Sequence, residues 1–352
     1  MPLVLIKPLP ESPQASARMD DVLRHALSDT DCRVVYNAEG LTGLQGKKLL
    51  FAVALGDVGI NFEYLRMLQR IRREPGLLEG CTAGLIVDAA SPLYTKSTAA
   101  ELTCAANLAG CAFLGRPLVE ATDTLRNFTI QAKNLGTDLV GAYRAAAREL
   151  AQRLEHESFP KREKPELLVL HASSHSTSNT MALWKQVRER LGEDFIFTEI
   201  GLRNGTLSDC SGCPYTVCLH FGEKESCFYG GVMAAEVYPA MRRCSGVVML
   251  CPNYNDAISA NMTACINRLT ALFRQTRFYD KALFALVVSG YSGGDILARQ
   301  LISGMNMNKS FYLPGNFALM ETANDPGQAL QCEGIQTKLG DFSANIRRVM
   351  LK

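Results

Sequence analysis

The sequence predicts an α/β protein built from two doubly wound, parallel-sheet domains in tandem, and three observations lead there. Short apolar runs such as Leu49–Leu55, Leu167–Leu170 and Leu283–Ser289 have the length and continuity of strands covered on both faces. Each is followed by a stretch of helical periodicity, the alternation that gives parallel sheets. The polar, proline-bounded stretch His156–Pro165 then divides the chain into halves that repeat the same rhythm.

In the first half, strands are expected at Leu3–Ile6, Cys32–Tyr36, Leu49–Leu55, Leu85–Ala90 and Cys111–Leu114. Helices are expected over Ala17–Leu27, from Gly59 through about Arg73, over Ala99–Ala109 and over Leu135–Leu154, with Lys7–Ser16 as a proline-rich loop. In the second half the strands are Leu167–Leu170, Phe195–Ile200, Gly246–Cys251, Leu283–Ser289 and Phe311–Leu313. Helices begin at about Met181 and cover the run up to Arg243, Ser259–Arg274 and Asp295–Met305. The expected domains are 1–158 and 165–352. Five strands in each half suggest a duplication. Leu102 and Asn107 recur at the same spacing as Leu301 and Asn306. Pro92, Tyr94 and Asn107 align equally with Pro252, Tyr254 and Asn267 in a second register, and strand order favours the first.

Composition narrows the function classes. The 352 residues are 47 % apolar and 20 % charged, with a net charge of +2, which is globular and gives no basic tract for nucleic acid. No segment reaches membrane-spanning length, and no helix pairs a strongly basic face with a broad apolar one. Twelve cysteines without an export signal point to a reducing, cytoplasmic setting.

Chemistry concentrates in the second half. In an open parallel sheet ligands bind beyond the carboxyl ends of the strands. After Leu170 comes His171-Ala-Ser173-Ser174-His175-Ser176-Thr177-Ser178-Asn179-Thr180, a hydroxyl-rich loop opening a helix. Such a junction offers N–H groups and a positive helix end to an anion. A bland alternative is an over-supplied helix cap. There is neither GxxxxGK[ST] nor GxGxxG, so P-loop and dinucleotide sites are not indicated. The loop after the third strand carries Pro252, Asn253, Tyr254 and Asn255. The loop after the fourth carries Ser289, Gly290, Tyr291 and Gly293. Together these supply phosphate donors, amides for a polar ring edge and tyrosines for stacking. Between the second strand and its helix lie Cys210, Cys213, Cys218 and Cys227, spaced C-x2-C-x4-C-x8-C. Four thiolates suit a [4Fe–4S] cluster or a tetrahedral zinc, and plain thiols are the alternative.

Over Leu167–Gly315 these residues resemble the flavodoxin-like NADPH-dependent FMN reductases, and within them the iron–sulfur flavoproteins. Those proteins follow the first strand with S-P-R-x-x-S-N-T, matched by Ser173 through Thr180. They follow the third with P-x-Y and a helix ending D-R, matched by Pro252, Asn253, Tyr254 and then Asn267, Arg268. The resemblance implies FMN, its phosphate in the first loop and its isoalloxazine between the other two. It implies cluster ligands in the cysteine segment, although Thr216 stands where the third cysteine is usual. His175 replaces the usual arginine and gives up its guaranteed positive charge. Relatives of one domain form homodimers. The first domain, with Pro8, Pro10, Pro13 and Glu11 at the phosphate-loop position, reads as a degenerate copy without its own flavin.

Three functions follow from the resemblance. The first is an NAD(P)H-dependent oxidoreductase passing electrons through FMN to a small-molecule or protein acceptor, with no side chain needed as acid or base. The second is an electron carrier linking FMN, through the cluster, to a ferredoxin-like partner. The third is a non-enzymatic scaffold of two degenerate copies.

Overall fold

A computed structural model describes residues 3–173 and 177–352; Ser174, His175 and Ser176 lie outside the described residues. The chain divides into two compact units, 1–158 and 159–352.

The first unit runs β1 (Leu3–Ile6), α1 (Pro13–Ala26), β2 (Cys32–Val35), β3 (Lys48–Leu55), α2 (Phe62–Arg73), β4 (Thr82–Ala89), α3 (Thr95–Leu108), β5 (Ala112–Ala121), α4 (Thr129–Leu135) and α5 (Leu139–His156). Its five parallel strands lie in the order β2-β1-β3-β4-β5. The central strands β3 and β4 are buried along almost their whole length, as continuous apolar runs require. Helix α1 starts earlier than the sequence suggests. Ser12 caps it and Pro13 takes the first helical position, where a missing N–H costs nothing. The expected helix over Leu135–Leu154 is two helices, because Gly136 is left-handed (φ 64°) and Asp138 caps a new start. Strand β5 continues to Ala121 past Pro117, through a register shift; as an edge strand it tolerates the missing donor.

The second unit runs β6 (Glu166–His171), α6 (Asn179–Leu191), β7 (Ile196–Gly201), α7 (Tyr215–Glu223), α8 (Tyr238–Arg243), β8 (Gly246–Pro252), α9 (Ala260–Phe273), β9 (Ala282–Ser289), α10 (Gly294–Leu301), β10 (Ala318–Thr322) and α11 (Ile335–Met350). Its parallel strands lie in the order β10-β9-β8-β6-β7. Numbered within each unit, both sheets read 2-1-3-4-5. The expected fifth strand at Phe311–Leu313 is corrected here. Tyr312 makes only an isolated bridge to Ala282, and Ala318–Thr322 forms the ladder with β9. Phe311 is buried by side-chain packing instead, its ring 4.8 Å from that of Phe278. Helix α11, which the sequence reading left unassigned, covers one face of the sheet with Leu339, Phe342 and Ile346.

One hydrogen bond recurs in both units. After the fourth strand and its helix, the Asn107 side-chain amide donates to the Cys111 carbonyl at 3.0 Å in the first unit. In the second unit Asn306 donates to the Phe311 carbonyl at 2.7 Å. The pairing of Asn107 with Asn306 is therefore the register in which the units correspond; the alternative matches a fourth-strand loop to a third-strand one. Trp184, the single tryptophan, sits in the core of the second unit and reports on it. Replacing Asn306 with Ala strands a buried carbonyl. The expected loss is about 1–3 kcal/mol, read as a lower urea midpoint of Trp184 fluorescence.

Candidate functional site

Parallel pairing brings the carboxyl ends of β6, β8 and β9 to one edge, with His171 opposite Leu250 and Pro252 opposite Val288. The strand order reverses between β6 and β8, since β7 lies to one side of β6 and β8 to the other. A crevice opens beyond the strand ends at such a switch point.

The first loop is described on either side of its centre. The Ser173 carbonyl lies 3.0 Å from the His171 Nδ1. Ser178 caps α6, its Oγ accepting from the Met181 N–H, and lies 3.0 Å from the Thr180 hydroxyl. His175, expected to face phosphate, is among the residues not described. Asn179 has another task. Its Nδ2 donates to the Asp325 carbonyl at 3.0 Å and its Oδ1 accepts from the Ala329 N–H at 3.3 Å, pinning the chain beyond β10 to the start of α6.

The second and third loops are tied into one body by Asn253. Its amide group faces Ser289 Oγ at 3.3 Å, the Ser292 carbonyl at 3.1 Å and Asp256 Oδ1 at 3.3 Å, while its Oδ1 accepts from the Asp256 N–H at 2.8 Å. Tyr254 and Ala257 exchange both backbone hydrogen bonds, and Asn255 and Asp256 are left-handed between them (φ 53° and 58°). That is the two-residue turn that asparagine and aspartate favour. Gly293 has φ 89°, and a Cβ there would lie 2.6 Å from Asp256 Oδ1 and 3.0 Å from Asn253 Nδ2. A Cβ at Gly290 would lie 3.2 Å from Asn324 Oδ1. Pro252 ends β8. Ser289 is buried, whereas Tyr254 and Tyr291 stand 53 % and 84 % exposed on the rim. The loops thus present backbone groups and two tyrosine faces over a floor held by asparagine.

The cysteine segment is fastened to α9, the helix that leaves the second loop. Asn261 Nδ2 donates to the Leu202 carbonyl at 2.8 Å and Asn267 Nδ2 to Asp209 Oδ1 at 3.1 Å. Arg268 donates to the Ser208 carbonyl at 3.3 Å and the Gly230 carbonyl at 2.6 Å. Asn261 and Arg268, like Asn267 and Arg274, are seven residues apart and so share a helix face. Helix α7 approaches α9 closely at Gly222, where a Cβ would lie 2.8 Å from the Ala271 carbonyl. Between them is a cavity of about 200 Å³ lined by Cys210, Cys213, Cys218 and Cys227, walled by Phe221 and Phe228, and bordered by Arg268 and Arg274. As their side chains stand, no three His, Cys, Asp or Glu residues among the described ones form a group able to hold a metal ion. Cys244, Cys251 and Cys265 are buried apart from this cavity; burial pushes the Cys251 and Cys265 thiols up to about 12, which makes them inert.

Sequence reasoning missed Arg274, whose Nε donates to Cys218 Sγ at 3.4 Å. The seven-residue spacing from Asn267 was a legible signal for it.

Residues 165–325 match the family described as NADPH-dependent FMN reductase. That match falls within the second unit and spans most of it. No curated protein matches the chain. Among solved structures, an azoreductase from Bacillus anthracis str. Sterne is similar at 13 % identity, over 52 % of this chain and 99 % of that one, with a TM-score of 0.40. The NAD(P)H:quinone oxidoreductase from Methanothermobacter marburgensis is similar at 13 % identity, over 51 % and 96 %, with a TM-score of 0.37. An FMN-dependent NADH-azoreductase from Bacillus anthracis str. Ames Ancestor, in complex with FMN, is similar at 13 % identity, over 53 % and 99 %, with a TM-score of 0.33. No helix among the described residues of either unit is long and apolar enough to cross a membrane.

Gly293→Ala tests the joined loops. A left-handed alanine costs about 1–2 kcal/mol, and its methyl displaces Asp256 or Asn253. The expected result is a lower Trp184 unfolding midpoint with faster amide exchange over 289–293.

Proposed function

We propose that the second unit binds FMN at the carboxyl edge of its sheet and works as an NAD(P)H-dependent oxidoreductase. The observation that carries this reading is the Asn253 cross-link, which ties the loops after β8 and β9 into one body at the carboxyl edge. The family match supports it independently. The local chemistry fits the cofactor. Ser178 and Thr180 put two hydroxyls at the positive end of a thirteen-residue helix, where a phosphate would be held. Gly293 leaves the backbone bare where a flat ring system would approach. Tyr254 and Tyr291 would cover the ring faces, and Asn253 holds the platform without itself being consumed as a ligand. Pro252, Asn255, Ser289 and Gly290 complete the two loops around it, and Ser173 leads into the phosphate end. When bound, FMN supplies hydride acceptance and one- or two-electron release to an acceptor. The protein's part is to bind, orient and shield it, with no side chain acting as acid or base.

The first unit is proposed as a copy without a flavin site. Its equivalent loop contains Pro8 and Pro10, and the Glu11 carboxylate takes the Phe62 N–H at 3.4 Å, so an internal acid sits at the start of α2. Lys7, the nearby cation, is paired with Asp20.

A second reading, an iron–sulfur electron carrier serving a ferredoxin-like partner, is favoured by one observation. All four cysteines line a single cavity, and the buried Arg268 Nε–H beside it has no hydrogen-bond partner. Four thiols, with an N–H left over for a sulfur acceptor, are the donor set that a cluster needs.

Anaerobically purified protein tests both readings. Flavin bands that NADPH bleaches are expected, and Asn253→Ala should weaken FMN binding about tenfold, near 1.4 kcal/mol. A colourless protein that rejects added FMN overturns the flavin reading. Absence of iron and acid-labile sulfide overturns the cluster reading alone.

A further inference from the structure

The carboxyl edge of the first unit presents a run of exposed apolar side chains drawn from four loops. After β1, the Leu9 N–H donates to the Tyr36 carbonyl at 3.1 Å, which sets these two residues side by side. The Glu11 carboxylate takes the Phe62 N–H at 3.4 Å and so joins the same loop to the start of α2. There Phe62 and Leu65, three residues apart, lie on one helix face. Val58 and Ile60 flank Gly59 in the loop after β3. The Tyr94 ring, from the loop after β4, lies across Gly59: a Cβ there would stand 2.3 Å from the Tyr94 Cγ. Leu93 precedes it. These eight residues are each between 43 % and 63 % exposed. They therefore form one patch, linked loop to loop by contacts within the unit. Tyr94 is also strained. It is left-handed (φ 76°) at the cap of α3, where the second unit has Gly293 (φ 89°) capping α10. A bulky residue holds that conformation only where its surroundings impose it, and such outliers cluster at functional surfaces.

We infer that the carboxyl edge of the first unit is a dimerisation surface, on which a second copy of this chain docks edge to edge about a two-fold axis. Its size fits that occupant. At roughly 200 Å² for a large side chain, eight of them half exposed leave on the order of 800 Å², one partner's share of a standard interface. The largest apolar patch on an ordinary monomer is only about 300–600 Å². Its composition fits as well, since Tyr36, Phe62 and Tyr94 are the aromatic type that anchors interface centres. The rim carries both signs. Asp57 is exposed beside Val58, and Lys96, two residues past Tyr94, has a side chain 79 % exposed. Two identical patches can then set acid against base, as an isologous contact requires. A lipid surface calls for a basic rim, whereas Glu11 and Asp57 both stand exposed here. Pairing two chains is thus the task of the first unit. None of its residues belongs to the proposed flavin site, so the surface stands whether or not the second unit binds FMN.

The test is sedimentation equilibrium of the full-length protein from about 1 to 100 µM, with hydrogen–deuterium exchange at both ends of that range. A dimer is expected, with amide exchange over 57–62 and 93–96 slowing as it forms. Val58→Asp and Leu93→Asp each change an exposed loop position and bury a charge only in the dimer. Each should raise the dissociation constant about a hundredfold. Ile130→Asp, at a 71 % exposed site on α4 outside the patch, should leave it unchanged. Far-ultraviolet circular dichroism checks that each variant is folded, and either edge variant serves if the other is not. A protein that stays monomeric at about 100 µM overturns the dimerisation surface. So does a dimer that Val58→Asp and Leu93→Asp leave as tight as the parent's, or that Ile130→Asp weakens equally. A monomer that sediments with phosphatidylcholine vesicles assigns the edge to a lipid surface and likewise overturns the dimer.

Discussion

The second unit depends on one constraint: β6, β8 and β9 run the same way in adjacent register. Parallel pairing needs a crossover helix between strands, so every loop that follows a strand emerges at one edge. With the order reversing between β6 and β8, the hydroxyl-bearing start of α6 and the loops after β8 and β9 are brought together. None of these segments would find the others without the ladder. The apolar runs behind them, buried on both faces, make the register costly to slip, because each residue fills a place in a close-packed layer.

Given that frame, the loops owe their shape to very few side chains. Asn253 spends both ends of its amide, holding Asp256 on one side and Ser289 and Ser292 on the other. A left-handed Asn255-Asp256 pair lets the chain fold back within four residues. Gly293 then fits because it has no side chain to collide with that assembly. From the same loop, α9 runs on to the cysteine segment and ties it down at Leu202, Ser208, Asp209 and Gly230. The loops after β8 and β9 and the thiol cavity thus share a mechanical support, although they are built from different stretches of chain.

The two units show how a duplicated frame diverges at its edge. The shared elements are interior ones: strand order, and the asparagine that closes the turn into the fifth-strand region, Asn107 in one unit and Asn306 in the other. What differs lies at the carboxyl edge. In place of a hydroxyl-rich loop, the first unit has prolines and a glutamate bonded to the start of α2. It also buries Asp88 against Arg18 and the Tyr143 hydroxyl. Desolvation pushes the Asp88 carboxyl up and Arg18 opposes it, a self-contained arrangement that fixes α1 and α5 onto the end of β4.

Sequence by itself determined the class of fold and most elements, because continuous apolar runs and their alternation with helices are local signals, while the order of the strands came only from their pairing. It also brought out the hydroxyl loop, the Pro252–Asn255 and Ser289–Gly293 loops and the cysteine spacing, since unusual residue types mark themselves. It misplaced the last strand, because Phe311–Leu313 is as apolar as a strand while β10 ends in the polar Glu321 and Thr322; only pairing with β9 distinguishes them. Tertiary structure alone decided the division of labour within the loops. Asn179, which looks like a ligand group, is committed to Asp325 and Ala329, and Asn253 is a brace. Arg274 joins the thiols from a position far away in the chain. Such roles depend on which partner lies within hydrogen-bond or charge range, and that is a property of packing, not of any local pattern.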